Sequence, residues 1–383
     1  MKYHFFLMIF IFGKIISSIN GDKSIFIKLL SQLSIKDEYK KSIFGLQLRA
    51  NNPCEDSFFI QNITLLNIEG VFFSIFDGHG GDTLSKFANI LFYPYFLEFF
   101  NLNKFIQNMN DRIIISLKET YHRIEIDFLK IAFNEKFKGN KYSFIGSCAL
   151  SAIIINNKIF ISNLGDSKAR LYYLDKNKSE NNDSLKYNVK KLSKVYNIRK
   201  KSEQNRMKKK YPNDNDILRC YGHKSCYIKG ILQPTRSLGD YILKYLYFSD
   251  LGNNLLYEQF KKYYEGPYIS SKPDIQVFNI KENYKYLIIG SDGLWDVIKS
   301  REIGELLYNF TNINNNNYFW NDQKYNNIER IAYGLIHTVL INYSKERNKN
   351  GNYQFILDTP FGEGRRSILD DITIITCDLS KYN

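Results

Sequence analysis

The feature that most constrains this chain is a set of short, strand-like runs that stop on an acidic residue. Val71–Phe76 leads into Asp77-Gly78-His79-Gly80-Gly81, and Lys158–Leu164 into Gly165-Asp166. Tyr286–Ser291 meets Asp292-Gly293, with Asp296 close behind. Asp370 stands just before the closing run Asp371–Cys377, and Glu55-Asp56 just before Phe58–Ile60. Runs rich in Val, Ile and Phe, bounded by Gly and Asp, read as strands. One Asp beside Gly is ordinarily a turn residue. Several strand ends converging on one edge of a core bring their carboxylates together, and buried carboxylates repel unless something neutralises them. Few Arg or Lys flank these positions. Hard divalent cations resolve the repulsion, because Mg2+ and Mn2+ take carboxylate, carbonyl and water oxygens.

The rest of the chain sets the architecture. Asp82–Phe100 and Asn110–Phe133 space their apolar residues as helices do, the second through Ile113, Leu117, Tyr121, Ile124 and Phe128. Cys148–Ile155, Ala169–Leu174 and Tyr227–Leu232 read as strands, with Asn156-Asn157 as a hairpin turn. Ser193–Lys210 is expected as a basic helix, and Arg301–Phe310 and Ile328–Tyr343 as helices. Strands and helices come in groups without strict βαβ alternation, which points to α+β: packed antiparallel sheets with helices outside. One catalytic domain over residues 42–381 is expected, with polar insertions near 175–190, 247–265 and 311–327 and a linker over 21–41.

At 383 residues the chain can bury a large core. Its net charge of +14 favours acidic or phosphorylated partners, nucleic acid or anionic membrane, although a Lys- and Asn-rich composition gives such a charge without any partner. The basic stretch from Lys186 to Lys210 carries no nucleic-acid motif, so no nucleic-acid partner is expected. Five cysteines without a CxxC pair argue against a disulfide framework or a zinc site. Residues 1–20, with Lys2 ahead of the apolar run Phe5–Phe12 and small or polar residues after it, read as a signal peptide. Delivery to the secretory pathway or an organelle follows, with a mitochondrial or cytoplasmic location as the alternative. No later segment reaches transmembrane length, and a monomer is expected.

Two divalent cations on this acidic set can share a water, lower its pKa and present hydroxide in line with phosphorus. His79 stands beside the acidic turn and can protonate a leaving oxygen. GxSxG, GxxxxGK[ST] and HExxH are absent from the sequence, as is the CxxxxxR loop of cysteine phosphatases.

Taken in order, these segments resemble the magnesium- or manganese-dependent type 2C protein serine/threonine phosphatase family. The match includes Glu55-Asp56, Asp77-Gly78-His79-Gly80-Gly81, Gly146-Ser147-Cys148-Ala149, Asn163-Leu164-Gly165-Asp166-Ser167, Arg236-Ser237-Leu238-Gly239-Asp240, Ser291-Asp292-Gly293-Leu294-Trp295-Asp296 and Asp370-Asp371-Ile372-Thr373. Segments 47–56, 229–236 and 267–270 resemble the pyruvate dehydrogenase phosphatase-like branch. The resemblance implies an αββα sandwich and two metals at the sheet edge. It implies that Asp77 bridges them, that Gly78 offers its carbonyl, that Asp292 and Asp370 are direct ligands, and that Glu55 and Asp56 act directly or through water. Asp166 and Asp296 would help hold a third, weaker ion, and His79 would be the general acid. Phosphorylated proteins would be the substrates, with a pseudophosphatase as the alternative. Many members place a phosphate-binding Arg five residues before the first motif's Asp; here that position is Asn51, with Arg49 two residues earlier. Asp371 stands where Asn is common, and Cys148 where Thr is usual.

Overall fold

The computed structural model describes residues 23–38, 42–135, 141–174, 187–221, 225–248, 264–311 and 325–382. The expected leader and most of the three insertions lie outside these residues. In chain order the strands are β1 (Leu33–Glu38), β2 (Ile43–Leu48), β3 (Ser57–Leu65), β4 (Ile68–His79), β5 (Gly146–Ile155), β6 (Lys158–Leu164) and β7 (Lys168–Tyr173). They continue as β8 (Asn188–Lys191), β9 (Leu218–Tyr221), β10 (Ser225–Ile228), β11 (Leu238–Gly239), β12 (Asp274–Asn279), β13 (Tyr284–Gly290) and β14 (Ile372–Asp378). The helices are α1 (Lys23–Gln32), α2 (Thr83–Leu102), α3 (Met109–Glu135), α4 (Lys201–Lys210), α5 (Asp292–Trp295), α6 (Ser300–Thr311), α7 (Asn327–Glu346), α8 (Gln354–Asp358) and α9 (Glu363–Arg366).

Two antiparallel sheets form the centre, one in the order β1-β2-β14-β13-β7-β8 and the other β12-β6-β5-β4-β3, with β11 added beside β5. Strand β4 shows why the layers stack as they do. Successive side chains on a strand point to opposite faces. Val71, Phe73 and Ile75 therefore join Leu150, Ile154, Leu287 and Ile375 in the core between the sheets. Phe72 and Phe76 face the other way, into the core under α2 and α3. There Phe72 meets Phe96 at 5.0 Å, and Phe92 meets Tyr121 at 4.8 Å; each buried ring contributes about 1.5–3 kcal/mol. Helices α6 and α7 cover the first sheet through Leu307, Ile331, Leu335 and Val339. The result is the four-layer αββα sandwich that the resemblance implies.

Several local expectations are corrected. Residues 23–38, expected as linker, form α1 and the edge strand β1, paired to β2. Leu29 of α1 is fully buried. Within Ser193–Lys210 only Lys201–Lys210 is helical. The segment before it is shaped by Asn197, whose side-chain oxygen accepts from Arg199 N at 2.8 Å, a local bond that competes with a helix. The strand expected over Tyr227–Leu232 stops at Ile228, because Lys229 and Gly230 turn at φ of 53° and 75°. Strands β2 and β12 had no counterpart in the sequence reading. A disulfide, not expected from the cysteine spacing, joins Cys220 to Cys226. The β9–β10 register sets these two residues opposite each other, a juxtaposition that residue spacing does not reveal.

One buried ion pair ties the helical layer to the site. Glu125 of α3 pairs with Lys244 at 2.6 Å, both side chains about 95% buried. Glu125 also accepts from Gly239 N at 2.9 Å, one residue before Asp240. Replacing Lys244 with Met strands the carboxylate, and a loss of about 3–5 kcal/mol is expected in urea unfolding. Adding Glu125→Leu should restore most of it. An unchanged stability in the single variant contradicts this account.

Candidate metal centre

Three strand ends deliver the acidic residues. Asp77 lies near the end of β4, Asp166 in the turn between β6 and β7, and Asp292 at the start of α5 directly after β13. Each offers a carboxylate oxygen, and these oxygens all lie within 4.8 Å of one another. Asp292 N donates to Asp77 Oδ2 at 3.2 Å, and Ser167 Oγ to the same oxygen at 3.5 Å. Neither Asp77 nor Asp292 has an ion-pair partner among the described residues. Burial pushes the Asp77 carboxyl well above its usual range, with the Asp292, Asp56, Asp166 and Asp370 charges adding to it. Asp292 rises for the same reason, with Asp166, Asp370 and Asp296 as the charges around it. Asp56 is raised by burial and by Asp371, though a bond from Thr373 Oγ1 at 2.7 Å works against the rise. Asp370 is raised by burial despite its ion pair with Arg366.

The donor set is entirely oxygen and strongly anionic, which fits Mg2+ or Mn2+ and not a soft metal. Gly78 contributes a close approach. A Cβ there would sit 2.3 Å from the Glu55 carbonyl oxygen, so only glycine lets the Glu55-Asp56 segment lie against the end of β4.

Asp371 holds that segment in place. Its carboxylate accepts from Ala50 N at 2.5 Å, Asn51 N at 2.9 Å, Asn51 Nδ2 at 3.0 Å and Glu55 N at 2.8 Å. Asn51 Nδ2 also reaches Glu55 Oε2 at 3.1 Å. Asn51 is thus at the site as an uncharged brace. Arg49 stacks over the Phe361 ring at 3.8 Å.

His79 pairs with a residue to which sequence reasoning gave no role. Its Nε2 lies 2.9 Å from both Asp240 carboxylate oxygens, and Ser237 Oγ also donates to Asp240. A Cβ on Gly146 would stand 2.1 Å from Asp240 Oδ2 and 2.2 Å from His79 Nε2, so the pair needs glycine at that position. Burial pulls the His79 pKa down, but the Asp240 charge and hydrogen bond outweigh it and the net shift is upward. The one signal for Asp240 was its place in the Ser237-Leu238-Gly239-Asp240 turn; nothing local announces a partner 161 residues away.

Asp166 belongs to the central group, not only to an outer site. Asn197 Nδ2 donates to it at 2.6 Å and Cys148 Sγ at 3.2 Å. Asp296 lies farther out, 41% exposed, and pairs with Arg199 at 2.7 Å. Asn197, Arg199 and Arg366 were not singled out from sequence. The Arg365-Arg366 run shortly before Asp370 was the available signal for the last.

Comparisons with known proteins identify the family. The family profile described as "Protein phosphatase 2C" matches residues 48–336. Probable protein phosphatase 2C 79 of Arabidopsis thaliana is 28% identical over 269 residues, 68% of this chain and 66% of that protein. Probable protein phosphatase 2C 67 of the same plant is 26% identical over 341 residues, 88% of this chain and 82% of that one. Several relatives are thus matched over about two thirds of their length. A serine-threonine phosphatase 2C from Toxoplasma gondii has a similar fold, with a TM-score of 0.57 at 14% identity over 90% of this chain and 98% of that one. A C. elegans sex determining protein gives the same TM-score at 17% identity, over 88% of this chain and 64% of that one. The chain belongs to the protein phosphatase 2C family, a family of protein serine/threonine phosphatases.

Proposed function

We propose that this chain hydrolyses phosphoserine and phosphothreonine in protein substrates with the help of divalent cations. The observation that carries the reading is the convergence of Asp77, Asp166 and Asp292 within 4.8 Å at one sheet edge. Asp77, Asp292 and Asp370, with the Gly78 carbonyl and with Glu55 and Asp56, would hold two Mg2+ or Mn2+ ions. Asp166 and Asp296 would serve a third, weaker one. Bound there, such ions supply charge neutralisation and activation of water for attack on phosphorus.

The chain's own groups do the rest. Asp371 keeps Glu55 and Asp56 at the centre through its bonds to the 50–55 backbone. His79, whose pKa Asp240 raises, can in its protonated form hand a proton to the departing Ser or Thr oxygen, which would otherwise leave as an alkoxide. We also propose delivery to the secretory pathway. The leader supports it, and so does the Cys220–Cys226 pair, since disulfides persist in oxidising compartments.

Purified protein should release phosphate from a phosphopeptide with Mn2+ and lose that activity with chelator. Asp77→Asn should lower turnover by more than about a hundredfold, above the loss usual for a residue that only supports a ligand. It should leave the fold intact, because one repelling charge is removed. Metal-independent turnover, or full activity in the variant, rejects the assignment.

Asp240→Asn tests the acid. A general acid works while protonated, so activity falls as pH rises through its pKa. Removing the Asp240 charge lowers the His79 pKa, and the alkaline limb of kcat/KM should move to lower pH. A limb that stays in place removes His79 as the acid. For localisation, residues 1–20 fused to a reporter should direct it into the secretory pathway; a reporter left in the cytosol contradicts that reading.

A further inference from the structure

A phosphate monoester approaching this centre is a dianion entering a field of carboxylates. The two positions first considered for binding it do not supply a cation there. Asn51 is uncharged and engaged with Glu55 and Asp371, and Arg49 is stacked on Phe361. Another guanidinium does reach the centre. Arg366, at the end of α9, forms an ion pair with Asp370. It lines a cleft together with Asp292, Asp296, Asp370 and Tyr343. The charges of Asp370, Asp292 and Glu55 all act on it. Glu55 in turn feels the charges of both Arg366 and His79.

The local structure presents Arg366 firmly. Its neighbour Arg365 is fully buried and acts as a strut. Arg365 donates to Thr359 O at 2.8 Å, Leu357 O at 3.0 Å and Gln32 Oε1 at 2.9 Å. Arg366 N closes onto Gly362 O at 2.8 Å. The side chain of Arg366 itself stays 44% exposed, open to a ligand in the cleft. Arg199, the other guanidinium paired to a site carboxylate, holds Asp296 and does not line this cleft.

We propose that Arg366 binds the phosphoryl group of the substrate, in place of a cation at position 51. The inference rests on the proposed hydrolase reading. A guanidinium matches phosphate with a planar fork of N–H donors, and its charge offsets the repulsion that the outer carboxylates exert on the incoming dianion. Asp370 orients the fork. A metal on Asp370 would compete for the same carboxylate and leave more of the fork to phosphate.

The test uses the full chain loaded with Mn2+ and inorganic phosphate as the probe. By calorimetry, Arg366→Ala should bind phosphate about tenfold more weakly, the loss expected for a charge-assisted hydrogen-bonding group. KM for a phosphopeptide should rise by a similar factor, with kcat changed less than about threefold, as for a group that binds ground and transition states alike. Arg366→Lys should recover part of the phosphate affinity, because a point charge replaces the fork. Mn2+ affinity should be unchanged or tighter. Equal phosphate affinity in wild type and Arg366→Ala overturns the proposal. So does a loss of Mn2+ affinity large enough to explain the weaker binding, since Arg366 would then only be positioning Asp370. Phosphate binding is read without turnover. A wild-type chain that binds phosphate through Arg366 yet hydrolyses no phosphopeptide overturns the hydrolase reading and leaves Arg366 standing.

Discussion

The structure depends on a repulsion. Asp77, Asp166 and Asp292 are brought within 4.8 Å of one another, with Asp56 and Asp370 acting on the same group. Burial and mutual charge raise Asp77, Asp292 and Asp56. A carboxyl raised in the folded state stabilises the fold fully below its unfolded-state pKa, and that contribution is lost as pH rises through the raised value. As these carboxyls ionise, the metal-free fold therefore carries an electrostatic penalty at this sheet edge. Divalent cations bound there would remove it, which would make metal binding and folding stability two readings of one interaction.

Holding such a group together takes a stiff frame. Strands β4 and β13 are anchored on both faces, between the intersheet core and the helical layers, so their acidic ends cannot drift apart cheaply. Asp371 fastens the 50–55 segment from the position just before β14, the strand beside β2. Glu125 and Lys244 fasten the turn that carries Asp240. Each fastening is itself a buried charge with its hydrogen bonds satisfied, the condition under which such groups are tolerated.

Much of this was legible in the sequence, for identifiable reasons. The β-branched and aromatic run Val71–Phe76 and the helical spacing of Ile113, Leu117 and Tyr121 encode burial directly, so the layers could be read. Asp77, Asp166 and Asp292 could be read because each follows a strand at a glycine turn. What escaped was the pairing of particular side chains. His79 with Asp240, Arg199 with Asp296 and Cys220 with Cys226 depend on register and loop path, which no local pattern encodes. Strand β1 escaped because Leu33–Glu38 is half charged and joins the sheet at its edge. Asp371 was visible as a departure from a family pattern, but its work, gathering four N–H groups, appears only in three dimensions.

The central claim is that the carboxylate cluster is built to bind divalent cations, which relieve its mutual repulsion. Its most direct test is a calorimetric titration of Mn2+ into the full, metal-free chain, with the unfolding temperature followed over the same range of Mn2+. The account predicts saturable binding with a matching rise in unfolding temperature as Mn2+ is added. Absence of saturable binding, or binding without added stability, would contradict it.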